Sequence, residues 1–372
     1  MSAAAERSRT TINEPDRLEG FSAPRDVGGV FGHGEAIKEF EDAMRGERMH
    51  HAWLLAGPEG IGKATLAYRF ARALLVPGID AVPQGLSIAP DHPVFRKVAA
   101  QSHPNLLVLR RSWVEKSKKY SQWIGVDDVR RLRAFLGSTA GETGYRVVIV
   151  DRADELNQSA ANALLKALEE PPSRTVFLLI TGAEGRLPVT IRSRARILRI
   201  EALAGSDLEG AVRAALARDD YAIDEDALSV ALALSEGSVR RALELMTGEG
   251  ITLYHEVMEL LGALPELDGE RLHRLIDKAA GDGERLELFF SLLLGVMERL
   301  VRFSATGEGG TAQEQALAKR LVAPNALSAW AQAWEGIGRA WSDAFTLNLD
   351  RSLLLLETAQ RLQQLARGEA LS

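Results

Sequence analysis

Residues 37–44 carry apolar side chains at helical spacing, and residues 52–56 (AWLLA) form a short unbroken apolar run that reads as a buried strand. A glycine-rich loop follows, and residues 64–75 (ATLAYRFARALL) return to the helical period until Pro77. Pro77, Gly78, Pro83, Gly85, Pro90 and Pro93 crowd the next stretch, which reads as a loop. A second strand is expected over 105–110, then a charged excursion, then a helix over 127–135 opened by Val126 and Asp127. Residues 145–151 (YRVVIVD) are an apolar strand closed by an acid. A strong helix over 159–170 is stopped by Pro171 and Pro172, residues 175–181 make another β-branched strand, and 197–200 a last short one after a turn at Pro188.

Strands alternating with helices over residues 30–200 predict a parallel sheet covered on both faces. Beyond residue 203 the strand signals stop. Residues 208–218, 224–234 and 238–246 predict a compact helical group, with Gly248 and Gly250 marking a boundary. Further helices are expected over 284–303, 326–345 and 351–365. The leucines at 353–356 read as core and packing surface rather than as a ligand site. The expected division is a disordered polar tail over 1–22, a nucleotide-binding-like domain over 23–202, a helical lid over 203–249 and an all-helical domain over 250–372.

The chemistry sits where the first strand meets its helix. Residues 57–64 (GPEGIGKA) match the phosphate loop G-x-x-x-x-G-K-[ST] except at the last position. Gly57, Gly60 and Gly62 let backbone N–H groups converge on phosphate oxygens, and Lys63 can meet the outer phosphates. Ala64 stands where a hydroxyl would ligate magnesium. Thr65 comes one residue late, about 100° round the helix, so its oxygen should turn away from the metal position. The strand over 145–151 has the shape of a Walker B element, with Asp151 as the acid that holds magnesium. ATPases of this kind follow that acid with a glutamate; here Arg152 follows. Loss of a general base costs about 10²–10⁴-fold in rate, and a guanidinium beside a metal position adds repulsion. Two lesions in one chemistry point to a nucleotide fold that has given up hydrolysis.

Composition narrows the setting. At 372 residues the chain accommodates two or three domains, and with no cysteine it has neither disulfides nor thiolate metal sites, so a cytoplasmic protein with no membrane segment is expected. Net charge is −6, so any grip on nucleic acid must be local. Basic clusters occur at Lys116, Lys118 and Lys119, at Arg130, Arg131 and Arg133, and at Arg192, Arg194, Arg196 and Arg199. The first two read most simply as solvated faces, and no interleaved aromatic and basic pattern declares a nucleic-acid surface.

Five strings carry a resemblance: HAWLLAGPEGIGKATLA at 51–67, GYRVVIVDRADELNQSAANALLKALEEPP at 144–172, LPVTIRSRAR at 187–196, EGSVRRALEL at 236–245 and LNLDR at 347–351. Together they resemble the delta-prime subunits of bacterial DNA polymerase III clamp loaders, a family of the AAA+ superfamily. The resemblance spans nearly the whole chain and implies an α/β P-loop AAA+ module, a small helical lid and an all-α C-terminal collar. It implies a hetero-oligomer with gamma/tau-type ATPase subunits and a delta-type clamp-opening subunit, acting on a sliding clamp and primed DNA as part of the polymerase holoenzyme. In the family, Ser-Arg-Cys supplies an arginine finger to the neighbour's ATP; Ser193-Arg194-Ala195 keeps the arginine, so Arg194 is the expected catalytic residue in trans. Arg240 matches the sensor arginine of the second domain and Thr181 the first sensor, with an ion-paired helix arginine and a plain strand-terminal threonine as the respective alternatives. Many family members hold zinc with four cysteines after the P-loop helix. Between Pro77 and Pro104 this chain has only His92 and His103, so no zinc or other metal is expected. Two other readings stay open: an active AAA+ motor or helicase-like P-loop ATPase in which Thr65 and Asp154 compensate, and ATP or ADP held without turnover.

Overall fold

The computed structural model describes residues 14–46, 49–137, 144–267, 269, 283–347 and 350–368. Two compact units result: one runs from the N-terminal side to Ile223 and includes Ser235–Leu243, and the other comprises Asp224–Leu234 and the chain from Glu244 onward.

The first unit is built on five parallel strands: β1 (Ala52–Ala56), β2 (Leu106–Leu109), β5 (Arg146–Val150), β6 (Thr175–Thr181) and β7 (Arg196–Arg199). Their order is β2-β5-β6-β1-β7. A two-stranded antiparallel hairpin, β3 (Trp113–Val114) with β4 (Lys119–Tyr120), fills the charged excursion. All of β1 and β6 is buried, as parallel strands covered on both faces must be. Alternation sorts their side chains. Trp53 and Leu55 join one core with Phe40 of α1 (Gly34–Arg45) and Phe70 of α2 (Lys63–Leu75). Ala52, Leu54 and Ala56 join the other with Leu132 of α4 (Val126–Gly137) and Leu164 of α5 (Gln158–Glu169).

Residues 77–104 are not all loop. α3 (Pro93–Ala99) starts at Pro93, whose missing N–H and fixed φ suit the first helical turn, and the side chain of His92 caps it by accepting from the Val94 N–H. Proline here opens a helix rather than breaking one.

The expected disordered tail needs correcting over residues 14–22, while 1–13 lie outside the described residues. The Glu14 side chain is fully buried between Arg25 and Arg110 and accepts from Gln101 Nε2 at 2.6 Å. Ser22 donates to Asp219 through both its hydroxyl and its N–H, and Phe21 stacks on Tyr221 at 4.8 Å. Polar composition suggested disorder, but these carboxylates have cationic partners brought from far along the chain.

α6 (Val189–Arg192) is a single turn at Pro188, followed by α7 (Gly205–Arg218), α8 (Glu225–Leu234) and α9 (Val239–Thr247). The expected lid over 203–249 is not a unit of its own. α7 and the first residues of α9 belong to the sheet unit, whereas α8 belongs to the second. That second unit continues with α10 (Gly250–Gly262), α11 (Gly283–Thr306), α12 (Ala312–Leu321), α13 (Leu327–Leu347) and α14 (Arg351–Ala366). α11 packs against α10, α12 and α13, and α13 against α14. Of the leucines at 353–356, Leu354 and Leu355 are buried while Leu353 and Leu356 are exposed. In the string LNLDR, Asn348 and Leu349 lie outside the described residues.

Candidate nucleotide pocket and the exposed arginine

β1 lies between β6 and β7, so the glycine loop leaves the sheet where strand order reverses, the usual place for a ligand crevice. Gly62, at φ 98°, turns the loop into α2 with a left-handed conformation that a side chain resists. Gly60 is short of room as well: a Cβ there would stand 2.2 Å from Ser238 Oγ and 2.7 Å from Arg240 Cβ. The Arg240 N–H donates to Gly60 O at 3.2 Å, which seats the loop tip on the start of α9. On the other side, His33 Nε2 lies 2.8 Å from Ile61 O.

Lys63, Ala64, Thr65, Asp151, Arg152 and Arg240 line a cavity of about 240 Å³ together with Gly60, Gly62, Val30, Phe31 and the N-terminal Asp16. Lys63 folds back to donate to Gly57 O at 2.8 Å and to Pro58 O. Burial pulls its ammonium down to about 8, and the carboxylates of Glu59, Asp151 and Asp154 keep it from falling further. Asp151 is buried with Oδ2 lacking a hydrogen-bond partner. Burial first, and the Asp16 carboxylate second, push it up to about 7 against the pull of Arg110 and Arg152. Arg152, at φ 58°, pairs with Glu59 of the loop at 2.5 Å and with Glu155 at 2.8 Å. Glu155 in turn holds Arg111 at 2.7 Å, so an ion-pair chain joins the base of the β3–β4 hairpin to the phosphate loop.

These residues fit phosphate groups, because the loop N–H groups and Lys63 suit anions. They do not fit the magnesium-assisted hydrolytic set: Ala64 has no oxygen to offer, and the guanidinium of Arg152 stands directly after Asp151, where such a set has a glutamate. Thr65 also reaches the cavity wall, one residue on. Thr181 is buried at the end of β6, its hydroxyl accepting from the Ala183 N–H at 3.1 Å, and it is not among the cavity-lining residues. His92 is spent as a helix cap, and His103 is buried with Nδ1 accepting from the Asn105 N–H. Among the described residues no three His, Cys, Asp or Glu side chains gather to hold a metal ion.

Arg194 lies elsewhere. It follows α6 and is not among the residues lining the cavity. Its side chain is 36% exposed and its guanidinium pairs with Glu169, in the last turn of α5, at 2.9 Å, while also donating to Thr190 O at 3.0 Å. The other arginines of the cluster are paired within the same unit: Arg192 and Arg199 with Glu184, and Arg196 with Glu39 while lying over the Trp53 ring. Sequence reasoning missed Asp16, Glu59, Arg110 and Glu169. Only Glu59 carried a local signal, by its place inside the loop.

A parallel sheet with helices on both faces and a phosphate loop at its reversal point defines a P-loop nucleotide-binding fold. A family model described as "DNA polymerase III, delta subunit" matches residues 32–204. The chain is 39% identical over 211 residues to DNA polymerase III subunit delta′ of Pseudomonas aeruginosa, covering 56% of this chain and 59% of that protein. It is 28% identical over 295 residues to DNA polymerase III subunit tau of Escherichia coli, covering 74% of this chain and 44% of that protein. The chain thus spans about half the length of the curated relatives it matches. Among solved structures, a DNA polymerase III gamma subunit-related protein of Thermotoga maritima is 18% identical with a TM-score of 0.42, covering 89% of this chain and 100% of that one. Over residues 32–204 the chain is thus similar to the delta-type subunits of DNA polymerase III, and more widely to its delta′ and tau subunits.

Proposed function

We propose that this chain is a delta-prime-like subunit of the polymerase III clamp loader that hydrolyses no ATP itself and donates Arg194 to the ATP site of a neighbouring gamma/tau-type subunit. The observation that carries this reading is the separation of two features on one unit. The cavity holding Lys63 and Asp151 lacks the magnesium hydroxyl and has Arg152 locked to Glu59, while Arg194 stands half-exposed outside that cavity. An arginine that stabilises charge on a transferring phosphoryl group is worth about 10³–10⁵ in rate, enough for a subunit with an inert pocket to govern turnover next door. In this reading the second unit joins the chain to the ATPase and delta-type clamp-opening subunits, and the assembly passes a sliding clamp onto primed DNA in the cytoplasm. Lys63 and the loop glycines suit ATP or ADP held as a structural group, with no step of hydrolysis.

The test is reconstitution with the ATPase and clamp-opening subunits of the same organism. Arg194→Ala should leave assembly intact and slow turnover at the adjacent site by about 10³-fold or more. Undiminished DNA-stimulated turnover with Arg194→Ala would refute the donation, and brisk ATP consumption by the isolated chain would favour an active motor. Labelled nucleotide binding, with Lys63→Ala as the control, separates a filled pocket from an unused one.

A further inference from the structure

The β3–β4 hairpin takes no part in the pocket: none of residues 112–123 lines it. Its ladder pairs Trp113 with Tyr120 and Val114 with Lys119, reinforced by the Ser121 N–H donating to Ser112 O at 2.8 Å. The Trp113 and Tyr120 rings meet edge to face at 5.1 Å. Trp123 follows and is 48% exposed, although the next residue, Ile124, is fully buried and bridged to Leu156. A large aromatic is therefore held out in water by a backbone fixed at its next residue. Lys116, Lys118 and Lys119 crown the same hairpin, all exposed, and form no ion pair among the described residues. The turn holds one acid, Glu115, so the hairpin is locally cationic on a chain of net charge −6.

An exposed aromatic ring on the same segment as exposed lysines is what single-stranded nucleic acid uses: cations track the backbone and the ring stacks on a base. A duplex hides its base faces, and an acidic protein segment would satisfy the lysines but leave the ring unused. We propose that the β3–β4 hairpin and Trp123 form a binding site for single-stranded nucleic acid, with Lys116, Lys118 and Lys119 on the phosphates and Trp123 stacked on a base. The site deepens the clamp-loader reading by giving this chain its own hold on the nucleic acid, and it is independent of what Arg194 does.

The experiment uses the full chain alone, without nucleotide or other subunits, so its failure leaves the Arg194 reading standing. Anisotropy of a fluorescein-labelled oligodeoxythymidine is followed at a series of salt concentrations, with a matching oligouridine and a duplex of equal length. Binding to either single strand in preference to the duplex is expected, and the tighter of the two identifies the source. Trp123→Ala should weaken binding about tenfold or more, and Trp123→Phe should recover most of it. Replacing Lys116, Lys118 and Lys119 together by Gln should flatten the slope of log affinity on log salt by about 2, at about 0.7 per phosphate contact. Absence of binding by the parent chain overturns the proposal, as do variants that bind with unchanged affinity and slope. So does competition by poly-glutamate as effective as by the oligonucleotide and untouched by Trp123→Ala, which would make the hairpin a docking surface for an acidic protein. Circular dichroism checks that the surface variants keep the fold.

Discussion

Arg194 Nη2 lies 2.9 Å from Glu169 Oε1, so the arginine of α6's far end is parked on the last turn of α5. Both side chains are more than a third exposed, and such pairs contribute only about 0–1 kcal/mol to stability. Glu169→Gln should therefore leave thermal unfolding nearly unchanged. On the proposed donation of Arg194, the same variant in a reconstituted assembly should keep or raise ATP turnover, because the guanidinium would no longer have to leave a carboxylate to reach phosphate. Arg194→Lys should not substitute, since an ammonium lacks the planar fork that grips two phosphate oxygens. A marked fall in turnover with Glu169→Gln would mean that Glu169 orients the arginine rather than restraining it.

Asp151 sets a pH dependence of stability. An aspartate in the unfolded chain ionises near 3.8, while burial pushes folded Asp151 up to about 7. Between these values the folded state holds a proton that the unfolded chain has lost, so this residue makes stability fall as pH rises through that window, with the full cost present above 7. Asp151→Asn removes the charge but keeps the shape. It should raise the unfolding free energy above pH 7 by roughly 1 kcal/mol or more, with the gain shrinking towards pH 4. Urea titrations at pH 8 and pH 4, with a metal chelator present, measure it. Equal stability of the two proteins at pH 8 would show that Asp151 has a partner in solution.

How much of this was legible in the sequence follows from where each element draws its support. β5 and β6 read directly, because strands buried on both faces are continuous apolar runs. The defects at Ala64 and Arg152 also read directly, since each breaks a local pattern. What Arg152 does instead, bridging Glu59 and Glu155, depends on side chains from two separate loops. The hairpin hides its aromatics for a related reason: Trp113 and Tyr120 are apart in sequence and meet only through strand pairing. α3 was missed because proline both stops helices and opens them, and only the capping of Val94 by His92 distinguishes the cases. The glycines at 248 and 250 suggested a boundary, but α8 packs on α10, so the units divide inside α9 instead.

Glu14 is the residue on which the order of the N-terminal segment turns. Its carboxylate is inaccessible and pairs with both Arg25 and Arg110, and Pro15, Asp16, Leu18 and Phe21 then form part of the cavity wall. Removing one partner of a buried pair typically costs about 3–5 kcal/mol, because the remaining charges lose their counter-ion. Glu14→Ala should release residues 14–22, seen as faster hydrogen exchange and tryptic cleavage at Arg17 and Arg25, with β1 still protected. Unchanged exchange over that segment would show that Phe21 on Tyr221 and Ser22 on Asp219 suffice to hold it.

Arg299 and Glu314 carry the corresponding burden in the helical unit. Both are buried, Arg299 of α11 donating through Nε and Nη2 to Glu314 of α12 at 2.9–3.2 Å. Glu314 also accepts from the Thr311 N–H at 2.8 Å while Thr311 Oγ1 accepts from the Glu314 N–H, a capping box that starts α12. Tyr254 of α10 reaches the same Thr311 hydroxyl at 3.1 Å, so three helices meet at one polar knot. Arg299→Met leaves the carboxylate buried with its cap but without its cation, and should cost about 3–5 kcal/mol. Thr311→Ala removes only the cap and the tyrosine's partner, and should cost about 1 kcal/mol. In urea unfolding followed by far-ultraviolet circular dichroism, Arg299→Met should lower the midpoint of the helical unit well below that of Thr311→Ala. If the two variants unfolded together, the ion pair would add nothing beyond the cap it supports.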